Sequence, residues 1–188
     1  MDVLERQVPE GRAQAARAEA DGSRTNDFSL VVATANGTGS QTANLTLLRA
    51  LFKMGIPVHG KNIFPSNIQG LPTWYHIRVS HRGYVARKPS ELLVAFNPTT
   101  FHQDLRELPE GGVCVYNADL GAPSERENVM LYPVPVKELL EVSELKGKLR
   151  DYLANMVYVG GVAQLLGIGL DAIREALEFH FGQRQKLV

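Results

Sequence analysis

The chain has 188 residues, of which 44% are hydrophobic and 21% are charged, an ordinary composition for one globular domain with a full core. Twenty Lys and Arg residues balance twenty Asp and Glu residues, so the net charge gives no indication of a nucleic acid or an anionic membrane as partner. The single cysteine, Cys114, excludes an internal disulfide, and it excludes an iron–sulfur cluster or cysteine-rich zinc site held by this chain alone. No apolar run is long enough to span a membrane, and residues 1–26 lack the apolar core of a secretion signal, so we expect a reducing, cytoplasmic setting.

Residues 1–26 differ in composition from the rest of the chain. They are rich in Ala, Arg, Glu and Gly and contain few large apolar side chains. The stretch from Ala13 to Ala20 can form only a marginal helix, because it has little apolar surface to bury. We interpret residues 1–26 as a flexible N-terminal arm, either a disordered leader or a segment that clasps a partner. The folded domain is then expected over residues 27–188.

The first predicted unit is a strand, a glycine-bearing turn, a helix and a second strand. Ser29–Ala35 is a nearly continuous apolar run, which is typical of a strand buried on both faces of a parallel sheet. The turn Asn36–Gln41 opens a helix that ends at Gly55 and is followed by a strand over Ile56–Ile63. The helix carries large apolar residues at helical spacing, at Leu45, Leu48, Leu51 and Phe52. This order predicts a crossover between parallel strands.

The remaining elements continue the alternation of strands and helices. A loop is predicted over Phe64–Pro72. Further strands are predicted at Trp74–Ser80, Leu92–Phe96, Val113–Tyr116 and Asn128–Val134. Helices are predicted at Thr100–Leu105, at Leu145–Leu166 ending at Gly167, and at Asp171–Phe181 ending at Gly182. The pattern predicts an α/β domain with a mostly parallel sheet, flanking helices and two amphipathic helices at the C-terminus.

The turn Asn36–Gln41 has the composition of an anion site. A helix N-terminus presents unpaired N–H groups and a partial positive charge, and glycines let the backbone approach a phosphate closely. A nucleoside triphosphate loop is excluded, because no Lys-Ser or Lys-Thr follows the turn. A nicotinamide or flavin dinucleotide is disfavoured, because Thr42 replaces the third fingerprint glycine and the second strand carries His59 and Lys61 but no acidic residue. A tight structural turn without any ligand stays open at this point.

Two segments resemble a known family. One is Ala35–Gln41 (ANGTGSQ), and the other is Ser66–Ser80 (SNIQGLPTWYHIRVS). Together they closely resemble the gamma domain of 2-oxoacid:ferredoxin oxidoreductases, and best the branch in which this domain is fused to the front of the alpha subunit, as in 2-oxoglutarate:ferredoxin oxidoreductase. Leu165–Ile168 and the last helix are also similar to that family. The resemblance covers about residues 26–188.

The resemblance implies a Rossmann-like domain of an enzyme that oxidatively decarboxylates a 2-oxoacid. In such enzymes thiamine diphosphate, magnesium and iron–sulfur clusters carry the chemistry, ferredoxin takes the electrons and coenzyme A takes the acyl group. The gamma domain is linked to coenzyme A handling, and its turn faces the phosphates of the coenzyme. The matching residues here, expected to bind coenzyme A, are Gly37, Thr38, Gly39, Ser40 and Gln41.

The same resemblance implies that the reaction itself is performed by partner alpha and beta subunits or domains. No Gly-Asp-Gly motif with a following Asn pair occurs here, so thiamine diphosphate is expected on a partner, as are the clusters. Where many gamma subunits have Arg-Gly-Gly, this chain has Gln69–Pro72, which fits the 2-oxoglutarate-like branch. We expect a domain that is inactive alone and helps to bind coenzyme A, without nucleic acid or membrane as partner. The alternative is a stand-alone small-ligand-binding or assembly module with no redox role.

Several single residues have both a structural and a functional interpretation. Cys114 is expected to be a buried, inert thiol, and Asn97 a helix cap that lies near the ligand edge of the sheet. His59 and Lys61 are either a solvated strand end or a phosphate contact. Other positions can serve the core, a subunit interface, or an acidic or phosphate-bearing partner, and these are Trp74, Tyr75, His76, Arg78, Arg82 and Arg87.

Overall fold

The computed structural model describes residues 26–65, 68–80, 89–121, 123, 126, 128–143 and 146–182. Residues 1–25 of the predicted arm, the Arg82 and Arg87 positions and Leu145 lie outside these residues. The strands are β1 (Asp27–Ala35), β2 (Val58–Ile63), β3 (Pro72–Ser80), β4 (Leu92–Ala95), β5 (Val113–Asn117) and β6 (Met130–Val134). The helices are α1 (Ser40–Lys53), α2 (Phe101–Glu107), α3 (Val136–Glu141), α4 (Lys148–Leu166) and α5 (Leu170–Phe181).

The six strands form one mixed, mostly parallel sheet in the order β2-β3-β1-β4-β5-β6. The strands β1, β4, β5 and β6 pair in parallel, whereas β3 is antiparallel to both of its neighbours. The predicted Rossmann-like α/β class is therefore confirmed. The strands β1 and β2 run in the same direction, as the predicted crossover requires, but they are not adjacent, because β3 lies between them. A parallel β2–β3 pair needs a crossover of about a dozen residues or more, and the loop between Ile63 and Pro72 is too short for one.

The sheet separates two hydrophobic clusters. On one face, α1, α4 and α5 pack against residues of β1, β3 and β4, with Tyr158 of α4 fully buried in the centre. On the other face, α2 packs through Phe101 and Leu105 against β1, β4 and β5. Because α1 lies on one face and α2 on the other, the chain changes sides between β1 and β4, which makes that position the topological switch point of the sheet.

The buried face of α1 differs from the predicted one. The buried apolar residues are Ala43, Leu47, Ala50 and Leu51, whereas Phe52 is 70% exposed. Leu45 and Leu48 are half-buried against the same cluster. The helix is covered by the sheet on one side and by α4 and α5 on the other, so polar residues such as Asn44 and Thr46 are buried as well.

The predicted glycine ends of three helices are confirmed. Gly55, Gly167 and Gly182 follow α1, α4 and α5 and all have positive φ angles, which glycine adopts without a steric penalty. The short helix α3 was not predicted, because its six residues contain only one buried pair, Val136 and Leu140. In the part of the chain that the structure describes, no helix is both long and apolar enough to cross a membrane.

Candidate functional site

The glycine-bearing turn lies between β1 and α1 at the carboxyl end of the sheet. Gly37 and Gly39 have φ angles of 84° and 83°, in the left-handed region where other residues are strained. The N–H groups of Ser40 and Gln41 have no protein acceptor among the described residues, as expected for the first turn of a helix. The first turn of α1 contains no acidic residue that would neutralise its partial positive charge. The turn is therefore able to bind an anion.

The two segments that resemble the gamma domain meet at this turn. The Asn36 N–H donates to the Leu71 carbonyl at 2.8 Å, and the Gly70 N–H donates back to the Asn36 carbonyl at 2.9 Å. The Asn36 side-chain amide also donates to the Ile68 carbonyl at 3.2 Å. Because β3 is antiparallel, its first residues lie at the carboxyl end of β1, and this places the loop before β3 beside the turn.

Two side chains of α4 form hydrogen bonds with the glycine-bearing turn and with the start of α1. The Asn155 side-chain amide donates to the Thr38 carbonyl at 2.8 Å. The Tyr158 hydroxyl donates to Asn44 Oδ1 at 2.9 Å. Complete burial raises the pKa of Tyr158 well above its ordinary value, so the hydroxyl keeps the proton that this hydrogen bond needs. The turn is thus fixed by the protein before any ligand binds.

Four of the five predicted site residues line one pocket of about 450 Å³, namely Gly37, Gly39, Ser40 and Gln41. The side chain of Thr38 does not, because its hydroxyl donates to the Ala35 carbonyl at 2.8 Å. Ser40 is 5% exposed, and its oxygen accepts a hydrogen bond from Thr34 at 2.9 Å. Any contact from Ser40 to a ligand therefore comes through its backbone N–H more readily than through its side chain.

The two glycines are also required by packing. A Cβ atom at Gly37 would lie 2.8 Å from Gln69 Cγ, and one at Gly39 would lie 2.4 Å from Tyr152 Cε1. Both distances are far shorter than a van der Waals contact. The glycines are thus compatible with a phosphate site and with a tight structural turn, and they do not discriminate between the two.

Other residues of the pocket were not predicted as site residues from the sequence. Tyr152 of α4 and His180 of α5 line one part of the pocket, and Asn62 and Thr73 line another. The Thr42 hydroxyl lies 3.2 Å from His180 Nε2, across a sequence separation of 138 residues. Contacts between residues so far apart have no periodicity or spacing by which a single sequence could indicate them.

Asn97 follows β4 at the switch point of the sheet, and its side chain links the end of β1 to the turn before α2. Its side-chain amide donates to the Thr34 carbonyl at 2.8 Å, and Oδ1 accepts from the Thr99 N–H at 2.9 Å and the Thr99 hydroxyl at 2.7 Å. It is 1% exposed. The predicted cap is wrong, because the N-cap residue of α2 is Thr100, and the Asn97 side chain instead closes the turn that precedes the helix. Asn97 does not line the pocket, which is bordered by Asn62 in β2 and Thr73 in β3.

Other candidate residues lie away from the pocket. Arg78 pairs with Asp27 and is 9% exposed, near the end of β3 that is opposite the turn, so a phosphate role there is wrong. His59 and Lys61 are exposed on β2 but do not line the pocket. Cys114 is fully buried, and burial raises its pKa to about 12, which confirms an unreactive thiol.

The adjacent aromatic residues Trp74 and Tyr75 of β3 lie in two different environments. Tyr75 is 5% exposed in the core, and burial raises its pKa above the ordinary value. The Trp74 indole donates to Asp104 Oδ1 at 2.9 Å on the other face of the sheet. Within the described residues, no group of three or more His, Cys, Asp or Glu side chains could hold a metal ion.

Known proteins are similar to this chain in sequence and in fold. The chain is 23% identical to subunit alpha of 2-oxoacid:ferredoxin oxidoreductase 2 from Aeropyrum pernix, over 86% of this chain and 32% of that protein. A structure of 2-oxoglutarate:ferredoxin oxidoreductase from Magnetococcus marinus, with 2-oxoglutarate, coenzyme A and succinyl-CoA bound, matches 86% of this chain and 28% of that one, with a TM-score of 0.70 and 24% identity.

A smaller protein matches over most of its own length. The gamma subunit of a keto/oxoacid ferredoxin oxidoreductase from Geobacter sulfurreducens has a TM-score of 0.64 at 18% identity, over 80% of this chain and 85% of that one. The chain thus spans about a third of the two longer proteins and most of the gamma subunit. Residues 29–188 match the family described as pyruvate ferredoxin/flavodoxin oxidoreductase. The chain belongs to the pyruvate ferredoxin/flavodoxin oxidoreductase family.

Proposed function

We propose that this chain is the gamma-type domain or subunit of a cytoplasmic 2-oxoacid:ferredoxin oxidoreductase, in which it helps to bind coenzyme A and to assemble the complex. The observation that carries the proposal is the meeting of the two family-like segments, through Asn36, at a pocket lined by the start of α1, where the N–H groups of Ser40 and Gln41 have no acceptor in the part of the chain that the structure describes. Coenzyme A carries a diphosphate, and the start of α1 offers the partial positive charge and donors that such a group binds. The likeness to an enzyme whose structure holds bound coenzyme A supports this ligand.

The proposed 2-oxoacid is 2-oxoglutarate, which is oxidatively decarboxylated to an acyl-CoA while ferredoxin takes the electrons. This choice rests on the likeness to the 2-oxoglutarate enzyme and on the segment Gln69–Pro72. Thiamine diphosphate and magnesium would be held by the alpha and beta partners, since no Gly-Asp-Gly motif with a following Asn pair occurs here. The iron–sulfur clusters would be held there as well, since the one cysteine of this chain is buried. We expect the chain to be inactive alone.

The surface beside the turn supports a role in assembly. The loop residues Phe64 and Ile68 are 51% and 64% exposed, and Ile63 and Leu71 are more than a third exposed. Ile68 and Leu71 contact Asn36, so this apolar surface borders the pocket. Exposed apolar patches next to a ligand site are typical of protein interfaces. The thiol of bound coenzyme A would have to reach a catalytic partner, and we place that partner on this side.

A reconstitution assay tests the proposal. The chain is mixed with its partner subunits, and reduction of a viologen dye is followed with 2-oxoglutarate, with and without coenzyme A. We expect activity that depends on the chain and on coenzyme A. The variant Gly39→Ala should raise the KM for coenzyme A and leave that for 2-oxoglutarate unchanged, whereas Gly55→Ala, at the far end of α1, should change neither. No gain over the partners alone would count heavily against the proposal.

A second candidate is a stand-alone binding or assembly module without a redox role. It is favoured by the packing of Gly37 and Gly39 against Gln69 and Tyr152, which explains both glycines without a ligand. Calorimetry with coenzyme A, NAD and FAD discriminates between the two. Binding of NAD but not coenzyme A would indicate a dehydrogenase-like domain, and binding of none of them would indicate a scaffold.

A further inference from the structure

Arg49 on α1 places a positive charge at the contact between α1 and α5. Within the part of the chain that the structure describes, its guanidinium forms no ion pair with Asp or Glu. It lies over the ring of Phe179, 4.7 Å from the ring centroid, and Nη1 lies 3.4 Å from His180 Nδ1. Lys53, one turn further along the same helix, pairs with Glu175 at 3.2 Å. Of these two cations on the α1–α5 contact, Arg49 alone is available to an added anion.

The hydrogen bonds of His180 connect this charge to the pocket. Because a guanidinium can only donate, Nδ1 of His180 must accept from Arg49, and the ring proton therefore resides on Nε2. Nε2–H then donates to the Thr42 hydroxyl at 3.2 Å. With its oxygen accepting, the Thr42 hydroxyl has its own proton free to donate. Both Thr42 and His180 line the pocket next to the turn.

We infer that Thr42, His180 and Arg49 form a second anion subsite, which binds the 3′-phosphate of coenzyme A. The inference rests on the proposed function, since the turn would hold the diphosphate. Coenzyme A carries a further phosphomonoester on its ribose, and this group needs a hydroxyl or N–H donor and a nearby positive charge. The Thr42 hydroxyl and the Arg49 N–H groups that His180 does not use supply the donors, Arg49 supplies the charge, and His180 orients both through its two ring nitrogens.

Dephospho-coenzyme A, which lacks only that phosphate, makes the test direct. Calorimetry on the 188-residue chain measures the dissociation constants of coenzyme A and dephospho-coenzyme A. A charged hydrogen bond of ordinary strength predicts that the unmodified chain binds coenzyme A about tenfold more tightly. His180→Ala and Arg49→Gln should bring that ratio towards one and leave the affinity for dephospho-coenzyme A unchanged. Lys53→Gln removes the same charge from the same helix and should leave the ratio as it is.

The possible results separate this inference from the proposed function. Equal affinities for the two ligands in the unmodified chain would overturn the subsite while leaving coenzyme A binding intact. An equal loss of both ligands in His180→Ala would also overturn it, because the residue would then support the fold alone. Binding of neither ligand by the unmodified chain would overturn the proposed coenzyme A role and the subsite together. His180 is exposed near the end of α5, so its replacement by Ala should not prevent folding.

Discussion

Replacement of Gly39 by Ala introduces two separate costs, and the structure allows them to be measured apart. The first is the left-handed backbone at φ 83°, which costs a residue with a Cβ about 1–2 kcal/mol. The second is the position of the new methyl group, 2.4 Å from Tyr152 Cε1. Overpacking of this kind costs about 1–3 kcal/mol when the neighbour cannot move. We therefore expect Gly39→Ala to lower the free energy of unfolding by about 2–5 kcal/mol.

Gly55 provides the matched control. Its φ angle is 76°, and among the described residues no heavy atom beyond the adjacent residues lies within 4 Å of the position that a Cβ would occupy. Gly55→Ala should therefore show the backbone cost alone, about 1–2 kcal/mol. Urea denaturation followed by the fluorescence of Trp74, the one tryptophan, gives both values. In a Tyr152→Ala background the excess cost of Gly39→Ala should disappear, while the cost of Gly55→Ala should be unchanged. If Gly39→Ala is no worse than Gly55→Ala, the ring is free to move, and the reasoning is refuted.

Three further outcomes are expected. Asn97→Ala leaves the buried Thr34 carbonyl and the Thr99 N–H without the Asn97 side chain as partner. It should lower the free energy of unfolding, measured by urea denaturation, by about 2–4 kcal/mol, and a loss no larger than that of an ordinary surface substitution would contradict these hydrogen bonds. Tyr158→Phe leaves Asn44 Oδ1 unpaired in the core and should cost about 1–3 kcal/mol by the same measurement, with a neutral result arguing against the bond. The Cys114 thiol has a pKa of about 12 when folded against an ordinary value of 9.0, so the unfolded chain loses its proton first as the pH rises. The free energy of unfolding should therefore fall above pH 9 by about 1.4 kcal/mol per pH unit more steeply than in Cys114→Ala, and equal slopes would show that the thiol is not buried.

The parts of the fold that follow from local chemistry could be predicted. The apolar run of β1, the glycine turn and the glycines after α1, α4 and α5 each depend on a few neighbouring residues, through burial of a strand or a positive φ angle. The position of β3 depends on pairing between distant strands. The loop before β3 is too short for a parallel crossover, which favours an antiparallel β2–β3 pair. The length of the loop does not reveal that β1 pairs with the other edge of β3.

The site could be predicted in part for the same reason. Gly37, Gly39, Ser40 and Gln41 belong to one local turn, and all four line the pocket. The direction of the Thr38 side chain depends on a hydrogen bond to Ala35, which the spacing of residues does not show. The wall formed by Tyr152 and His180 comes from helices near the C-terminus, where those residues are ordinary polar positions on amphipathic helices. Phe52 was predicted on the apolar face of α1 from its helical spacing, but it is exposed because the neighbouring helices leave that side of α1 uncovered.

The place of β1 in the sheet has a consequence for the growing polypeptide on the ribosome. In the register of the sheet, Leu30 pairs with Ile77 on one side and with Leu92 on the other. The strand β1 therefore gains its second neighbour only after β4 has emerged. Until then, Leu30, Val31 and Val32 belong to a strand with an open edge, and such edges recruit other chains. A chain that stops after Ser80 should accordingly aggregate, whereas one that extends past Ala95 can close β1 on both sides.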